Sequence, residues 1–197
     1  MTRMDKTTEN VIVAGVGGQG TVLAGRLIAE AAMQEGLSVK GAETIGMAQR
    51  GGSVTSFIRF GGECATPFIK KGEADLILGF EPGECVRLLP YLGDGGAAVV
   101  LDRAVMPVSA LTGASRYEPQ EMISYLKNRV DRLVLVDAES AARALGTSKC
   151  LNVALLGAAA RSGALGLTVE RLASAVKAVI PPRLTEINLK ALNTVTL

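Results

Sequence analysis

The run Gly15-Val16-Gly17-Gly18-Gln19-Gly20 carries glycines at the spacing G-x-G-x-x-G. Glycines there let a turn be tight and let backbone N–H groups approach an anion at a helix N-terminus, where the dipole adds about 0.3 to 1 kcal/mol of attraction. One reading is a phosphate-bearing ligand cradled by Gly15, Gly17, Gly18, Gln19 and Gly20. The other is close packing of a strand against a helix, and the motif alone leaves both open. A second cluster, Gln49-Arg50-Gly51-Gly52-Ser53, sets a fixed positive charge beside two glycines and a hydroxyl. That combination grips a carboxylate or phosphate, or else commits Arg50 to a structural salt bridge. Glu43 stands roughly twenty residues past Gly20, where a dinucleotide-binding domain keeps its ribose-binding acid.

Other chemistry is ruled out by what the chain lacks. It has no His and no Trp, so the usual acid/base residue for neutral pH is missing. Cys64, Cys85 and Cys150 are widely spaced and do not cluster as a zinc site or an iron–sulfur run requires. They read as small buried hydrophobes, and an odd number of cysteines with no disulfide framework suits a reducing, cytoplasmic compartment.

These residues need a scaffold to hold them. Asn10 to Ala14 is a short β-branched run leading straight into the glycines, the pattern of a strand buried on both faces. From Gln19 to Gln34, apolar residues recur at helical spacing, and Gly36 supplies a stop. Leu37 to Ala42 then completes a β-α-β unit with an expected right-handed crossover. Glu43 to Gly52 breaks the periodicity as a loop. Ser53 to Phe60 alternates as a strand, and Gly61-Gly62 followed by ECATPFI reads as a hairpin returning the chain. Strands follow at Ala74 to Phe80, Ala97 to Leu101 and Leu133 to Val136, with helices over Glu84 to Leu92 and Glu118 to Val130. Three helical stretches close the chain: Asn152 to Arg161, Val169 to Val179 and Arg183 to Leu192, the last two punctuated by Pro181-Pro182.

The expected fold is α/β: a three-layer α/β/α sandwich, Rossmann-like, with a mostly parallel sheet, an antiparallel hairpin and C-terminal helices on or beyond the sheet edge. At 197 residues and 48% hydrophobic content the chain suits a single domain spanning 1–197. Its net charge of +2 offers no footprint for nucleic acid or an anionic membrane surface. The opening MTRMDKTTEN has no apolar region behind its basic residues, and no apolar run reaches membrane-spanning length. A stand-alone Rossmann-type nucleotide-binding protein or NAD-dependent dehydrogenase is one outcome, but neither a separate substrate domain nor a proton relay is visible.

In order and spacing, GVGGQGTVLAGRLIAEAA, GAETIGMAQRGGSVTSFIRFG and GEADLILGFEPGECVRLLPYL resemble the gamma-type subunit of 2-oxoacid:ferredoxin oxidoreductases. The resemblance runs on through NVALLG (Asn152 to Gly157) and EINLKAL (Glu186 to Leu192), and so covers nearly the whole chain. MAQRGGSV at Met47 to Val54 is similar to the indolepyruvate branch, whose small subunit is called beta. The resemblance implies oxidative decarboxylation of a 2-oxoacid with coenzyme A to an acyl-CoA, with electrons passed to ferredoxin. It implies thiamine pyrophosphate, Mg2+ and [4Fe-4S] clusters on a large partner subunit, with none tightly bound to this chain, which would have no catalytic residue of its own and no activity alone. No thiamine-type GDG segment is present, and three cysteines cannot supply the four ligands of a cluster. The glycine loop and the Arg50 loop, with Glu43, are then expected to line a coenzyme A or substrate approach or to meet the partner; a pure scaffold and a homodimer of the isolated chain are the further expectations.

Overall fold

The computed structural model describes residues 8–45 and 51–195. Its strands are β1 (Thr8–Val16), β2 (Ser38–Ile45), β3 (Ser53–Gly61), β4 (Ala74–Gly79), β5 (Leu92–Leu101) and β6 (Arg132–Val136). Its helices are α1 (Thr21–Gln34), α2 (Pro82–Leu88), α3 (Val108–Leu111), α4 (Pro119–Arg129), α5 (Ala138–Leu145), α6 (Leu151–Arg161), α7 (Val169–Val179) and α8 (Pro182–Leu192). The sheet order is β2-β3-β1-β4-β5-β6. Strands β1, β4, β5 and β6 run parallel, while β3 is antiparallel to both β1 and β2.

The apolar run of β1 explains its central place. Val11, Ile12, Val13 and Ala14 are wholly buried, and alternation sends them to opposite faces. Val11 and Val13 join α1 and α5 to α8 in one apolar layer; Ile12 and Ala14 join α2 and α4 in the other. The three-layer architecture follows directly, since helices must cover both faces of a parallel sheet. Helix α1 stops where expected: Gly36 adopts φ 73° and donates to the Met33 carbonyl at 2.9 Å.

The structure departs from the sequence expectation in several places, four of which bear on the architecture. The antiparallel hairpin is formed by β2 and β3, and residues 62–73 contain no strand, so ECATPFI does not return the chain along the sheet. The β-α-β unit is split: β3 lies between β1 and β2, so the two strands joined by α1 are not neighbours. Helix α5 escaped detection because it has only eight residues; Asp137 caps it by accepting from Ser140 N–H at 2.9 Å. Lastly, the C-terminal helices lie over a face of the sheet, not beyond its edge. Helix α6 is its centrepiece, with every residue from Leu151 to Ala159 buried.

Burial of Leu155 and Leu156, both fully inaccessible, contributes about 1.5 to 3 kcal/mol each. Helices α6 and α8 approach so closely that a Cβ at Gly157 would lie 2.0 Å from the backbone carbonyl oxygen of Leu192. Backbone cannot yield as a side chain can. Gly157→Ala should therefore cost about 2 kcal/mol or more by overpacking, read as a lower urea midpoint. An unchanged midpoint would refute the close approach.

Candidate functional site

The glycine loop leaves the carboxyl end of β1 and enters α1, with each residue in a distinct role. Gly15 is buried where a Cβ would press at 2.8 Å on both Gln19 Oε1 and Thr21 Cγ2. Gly18 is exposed with φ 99°, and Gly20, the N-cap of α1, has φ 81° with no side-chain cap. Both lie in the left-handed region that favours glycine. Gln19 clasps the turn to its neighbours: its Oε1 accepts from Val16 N–H at 2.9 Å and its Nε2 donates to the Phe80 carbonyl at 2.9 Å. The side-chain amide thus ties the exit of β1 to the exit of β4, on either side of the point where the sheet changes winding direction.

The second glycine cluster meets the first. Gly17 N–H donates to the Gly52 carbonyl at 2.8 Å, and Gly51 N–H donates to the Gly17 carbonyl at 3.4 Å. One loop amide is therefore engaged with protein and does not face a ligand. Ser53, at the start of β3, donates to Glu84 Oε2 at 2.6 Å and accepts from Arg87 Nη2 at 2.6 Å; the same Arg87 nitrogen reaches Thr55 Oγ1 at 3.2 Å. Gln49 and Arg50 lie outside the described residues.

Glu43 is not brought to the glycine loop. It sits within β2, opposite Ser56, two strands from β1 and so about 10 Å away across the sheet. The interposed β3 removes it from the place of a ribose-binding acid. The dinucleotide reading loses its acid for that reason.

Sequence reasoning missed the opposite wall. Helix α6 begins at Leu151, and its N-cap, Cys150, makes no side-chain cap bond, so this second helix N-terminus is also uncapped. Asn152, in the first turn of α6, donates through Nδ2 to the Gly20 carbonyl at 3.4 Å, drawing the starts of α1 and α6 together. A crevice of about 220 Å³ opens between them, lined by Gly18 and Gln19 with Arg103, Ser148, Lys149 and Asn152. Arg103 follows β5 directly, and Lys149 directly precedes α6. Their positions at element ends were the available signal; that both face the glycine loop is a tertiary fact. Two helix N-termini without side-chain caps and two cations meet at this crevice, a combination able to receive an anion.

Beside it lies a buried carboxylate. Glu81 caps α2 by accepting from Glu84 N–H at 2.9 Å, and also accepts from the Tyr117 hydroxyl, which in turn accepts from Gly83 N–H at 3.2 Å. Burial and the Glu81 carboxylate raise the Tyr117 phenol above its ordinary value, keeping it a donor. This network anchors the segment between β5 and α4 against α2.

The cysteines do not assemble. Cys85 belongs to the apolar layer on one face of the sheet and Cys150 to the layer on the other, while Cys64 follows β3. Thiols divided by a sheet cannot share a cluster. Among the described residues no three His, Cys, Asp or Glu side chains converge as metal ligands. No described helix is long and apolar enough to cross a membrane.

An open, mostly parallel α/β sheet with a crevice carrying Arg103 and Lys149 at the carboxyl ends of its strands defines a Rossmann-like α/β chain. Residues 10–196 match the family described as pyruvate ferredoxin/flavodoxin oxidoreductase, and the chain belongs to that family. It is 38% identical over 183 residues to indolepyruvate oxidoreductase subunit IorB of Methanothermobacter thermautotrophicus, covering 92% of this chain and 93% of that one. To the pyruvate/ketoisovalerate oxidoreductases common subunit gamma of Thermococcus kodakarensis it is 30% identical, covering 90% and 89%. The keto/oxoacid ferredoxin oxidoreductase gamma subunit of Geobacter sulfurreducens shares the fold: TM-score 0.68, 22% identity, 96% of this chain and 94% of that one.

Burial, reinforced by the nearby Glu81 charge, pushes the Cys85 thiol up from 9.0 to about 12. Thiolate is the reactive form, so Cys85 should resist a thiol reagent at pH 8 in the folded chain and react on unfolding, whereas half-buried Cys64 reacts in both. The contribution of Cys85 to stability is fully present below pH 9.0 and is lost as pH rises toward about 12, because the unfolded chain ionises first. Rapid labelling of native Cys85, read by peptide mass, would contradict this placement.

Proposed function

We propose that this chain is the small subunit of a heteromeric 2-oxoacid:ferredoxin oxidoreductase of the indolepyruvate branch. Such a complex oxidatively decarboxylates an aryl 2-oxoacid with coenzyme A and reduces ferredoxin. The observation that carries the reading is the 38% identity to an indolepyruvate oxidoreductase subunit over nearly all of both chains, against 30% for the gamma subunit of the pyruvate/ketoisovalerate branch. Residues 1–197 act as one gamma-type domain, cytoplasmic and paired with a large subunit. That subunit holds thiamine pyrophosphate with Mg2+ and the [4Fe-4S] clusters, since no cysteine or acidic set among the described residues fits them.

The role we assign to this chain is to receive the anionic part of the co-substrate coenzyme A. The crevice between the starts of α1 and α6 suits it: Gly18 keeps the backbone bare, while Arg103 and Lys149 supply fixed charge. Arg50, which directly precedes Gly51 in the sequence, is assigned to the same approach. A second reading, pure scaffold, is favoured by the hydrogen bonds joining Gly17 to Gly51 and Gly52, which make the two loops one structural unit.

Coexpression with the large subunit and assay of ferredoxin reduction with indolepyruvate and coenzyme A tests the assignment. Activity is expected only from the reconstituted pair, and catalysis by this chain alone would overturn it. Arg103→Ala, Lys149→Ala and Arg50→Ala should each raise the KM for coenzyme A about tenfold while leaving the KM for the 2-oxoacid near its starting value. Unchanged coenzyme A kinetics with intact assembly in all three would leave the scaffold reading.

A further inference from the structure

Strand β2 ends the sheet, and its outer edge is unpaired among the described strands. It is eight residues long and lacks proline, and its charged residues are Lys40 and Glu43, which leave pairing to a partner of matching charge pattern. Ser56 and Ile58 on β3 touch Gly25 of α1: a Cβ there would lie 3.4 Å from Ser56 Cβ and 3.5 Å from Ile58 Cδ1. Glu43 pairs with Ser56 and Gly41 with Ile58, and cross-strand partners share a face, so Gly41 and Glu43 also point to the α1 side. Together with Arg26 and Ala29 they line a groove of about 360 Å³ that runs beneath α1 and opens at the β2 edge.

Two features call for a polar occupant. Ser56 is only 2% exposed and its Oγ has no hydrogen-bond partner. At the rim, Arg26 and Glu43 are both exposed and form no ion pair with each other. They are opposite charges on one patch, so the patch is complementary to itself, as an isologous contact demands.

We propose that two copies of this chain pair through β2, antiparallel about a two-fold axis at Ala42. An axis perpendicular to a sheet must fall on a residue. Centred on Lys40 or on Glu43 it opposes like charges. Centred on Gly41 it places Glu43 opposite half-buried Val39. Centred on Ala42 it places Glu43 of the second copy opposite Gly41, the one position on that face with no side chain to bar the groove. Arg26 turns into the groove, donates to the Ser56 hydroxyl and forks to Glu43 of the second copy. Symmetry makes the contact twice, and the two six-stranded sheets become one.

The test uses the full chain alone. Sedimentation velocity at tens of micromolar should find a dimer. Arg26→Glu and Glu43→Arg should each weaken it at least tenfold, and the two together should restore it to within a few-fold. Gly41→Val is the independent variant: a Cβ there meets only the Phe57 carbonyl oxygen, at 3.8 Å, so the fold tolerates it while the groove is blocked. Cα atoms paired at the axis lie about 4.5 to 5.5 Å apart, within disulfide range, so the Ala42→Cys variant should oxidise to a dimer joined through residue 42, identified by peptide mass. A monomeric wild-type chain overturns the proposal, as does a dimer indifferent to both charge reversals or one that does not join through residue 42. In the coexpressed complex, Glu43→Arg losing only the large subunit would assign the edge to that partner and overturn the proposal equally.

Discussion

Strand β1 is buried on both faces, and the chain must leave it through a turn between two packed layers. Every backbone group in that turn needs a partner or an exit to solvent, since an unpaired buried N–H or carbonyl costs about 1 to 3 kcal/mol. Gln19 meets the requirement by serving Val16 N–H and the Phe80 carbonyl with one amide. Gly17 meets it through Gly52. The geometry that closes the core also leaves Gly18 exposed and the start of α1 uncapped. Close packing of strand against helix and an exposed, uncapped turn are therefore one feature, so the two readings of the motif are compatible with each other.

The insertion of β3 beside β1 has a parallel effect. By running antiparallel, β3 brings its first residues level with the end of β1, joining the two glycine clusters. It also pushes β2, and Glu43 with it, to the sheet edge. One strand placement thus completes the candidate crevice, removes the acid that a dinucleotide site would need, and creates the free edge.

Much of the fold was legible because its signals are local. Runs such as Asn10 to Ala14 and Ala74 to Gly79 are apolar enough to require burial on both faces, and Gly36 marks a helix end by a conformation only glycine adopts easily. The ECATPFI segment misled because the Gly61-Gly62 pair before it resembles a hairpin turn, while the true partner of β3 precedes β3 in the chain. Pairing is a contest between strands, and a single sequence does not display the competitor. Arg103, Lys149 and Asn152 stayed hidden for the same reason: Arg103 follows β5 while Lys149 and Asn152 stand at the start of α6, and only packing of α6 against α1 and β5 brings them beside Gly18.

By itself the sequence determined the fold class, the family, the two glycine clusters and the absence of histidine or clustered thiols, all properties of residue type and spacing along one chain. Tertiary structure decided the strand order, the separation of Glu43 from the loop, the burial of Cys85 and Cys150 on opposite faces, and the convergence of two helix N-termini on one crevice. The physical reason is the range of the interactions. Propensity and periodicity act over a few residues, whereas the site is assembled by contacts between residues more than a hundred positions apart, such as Asn152 with Gly20.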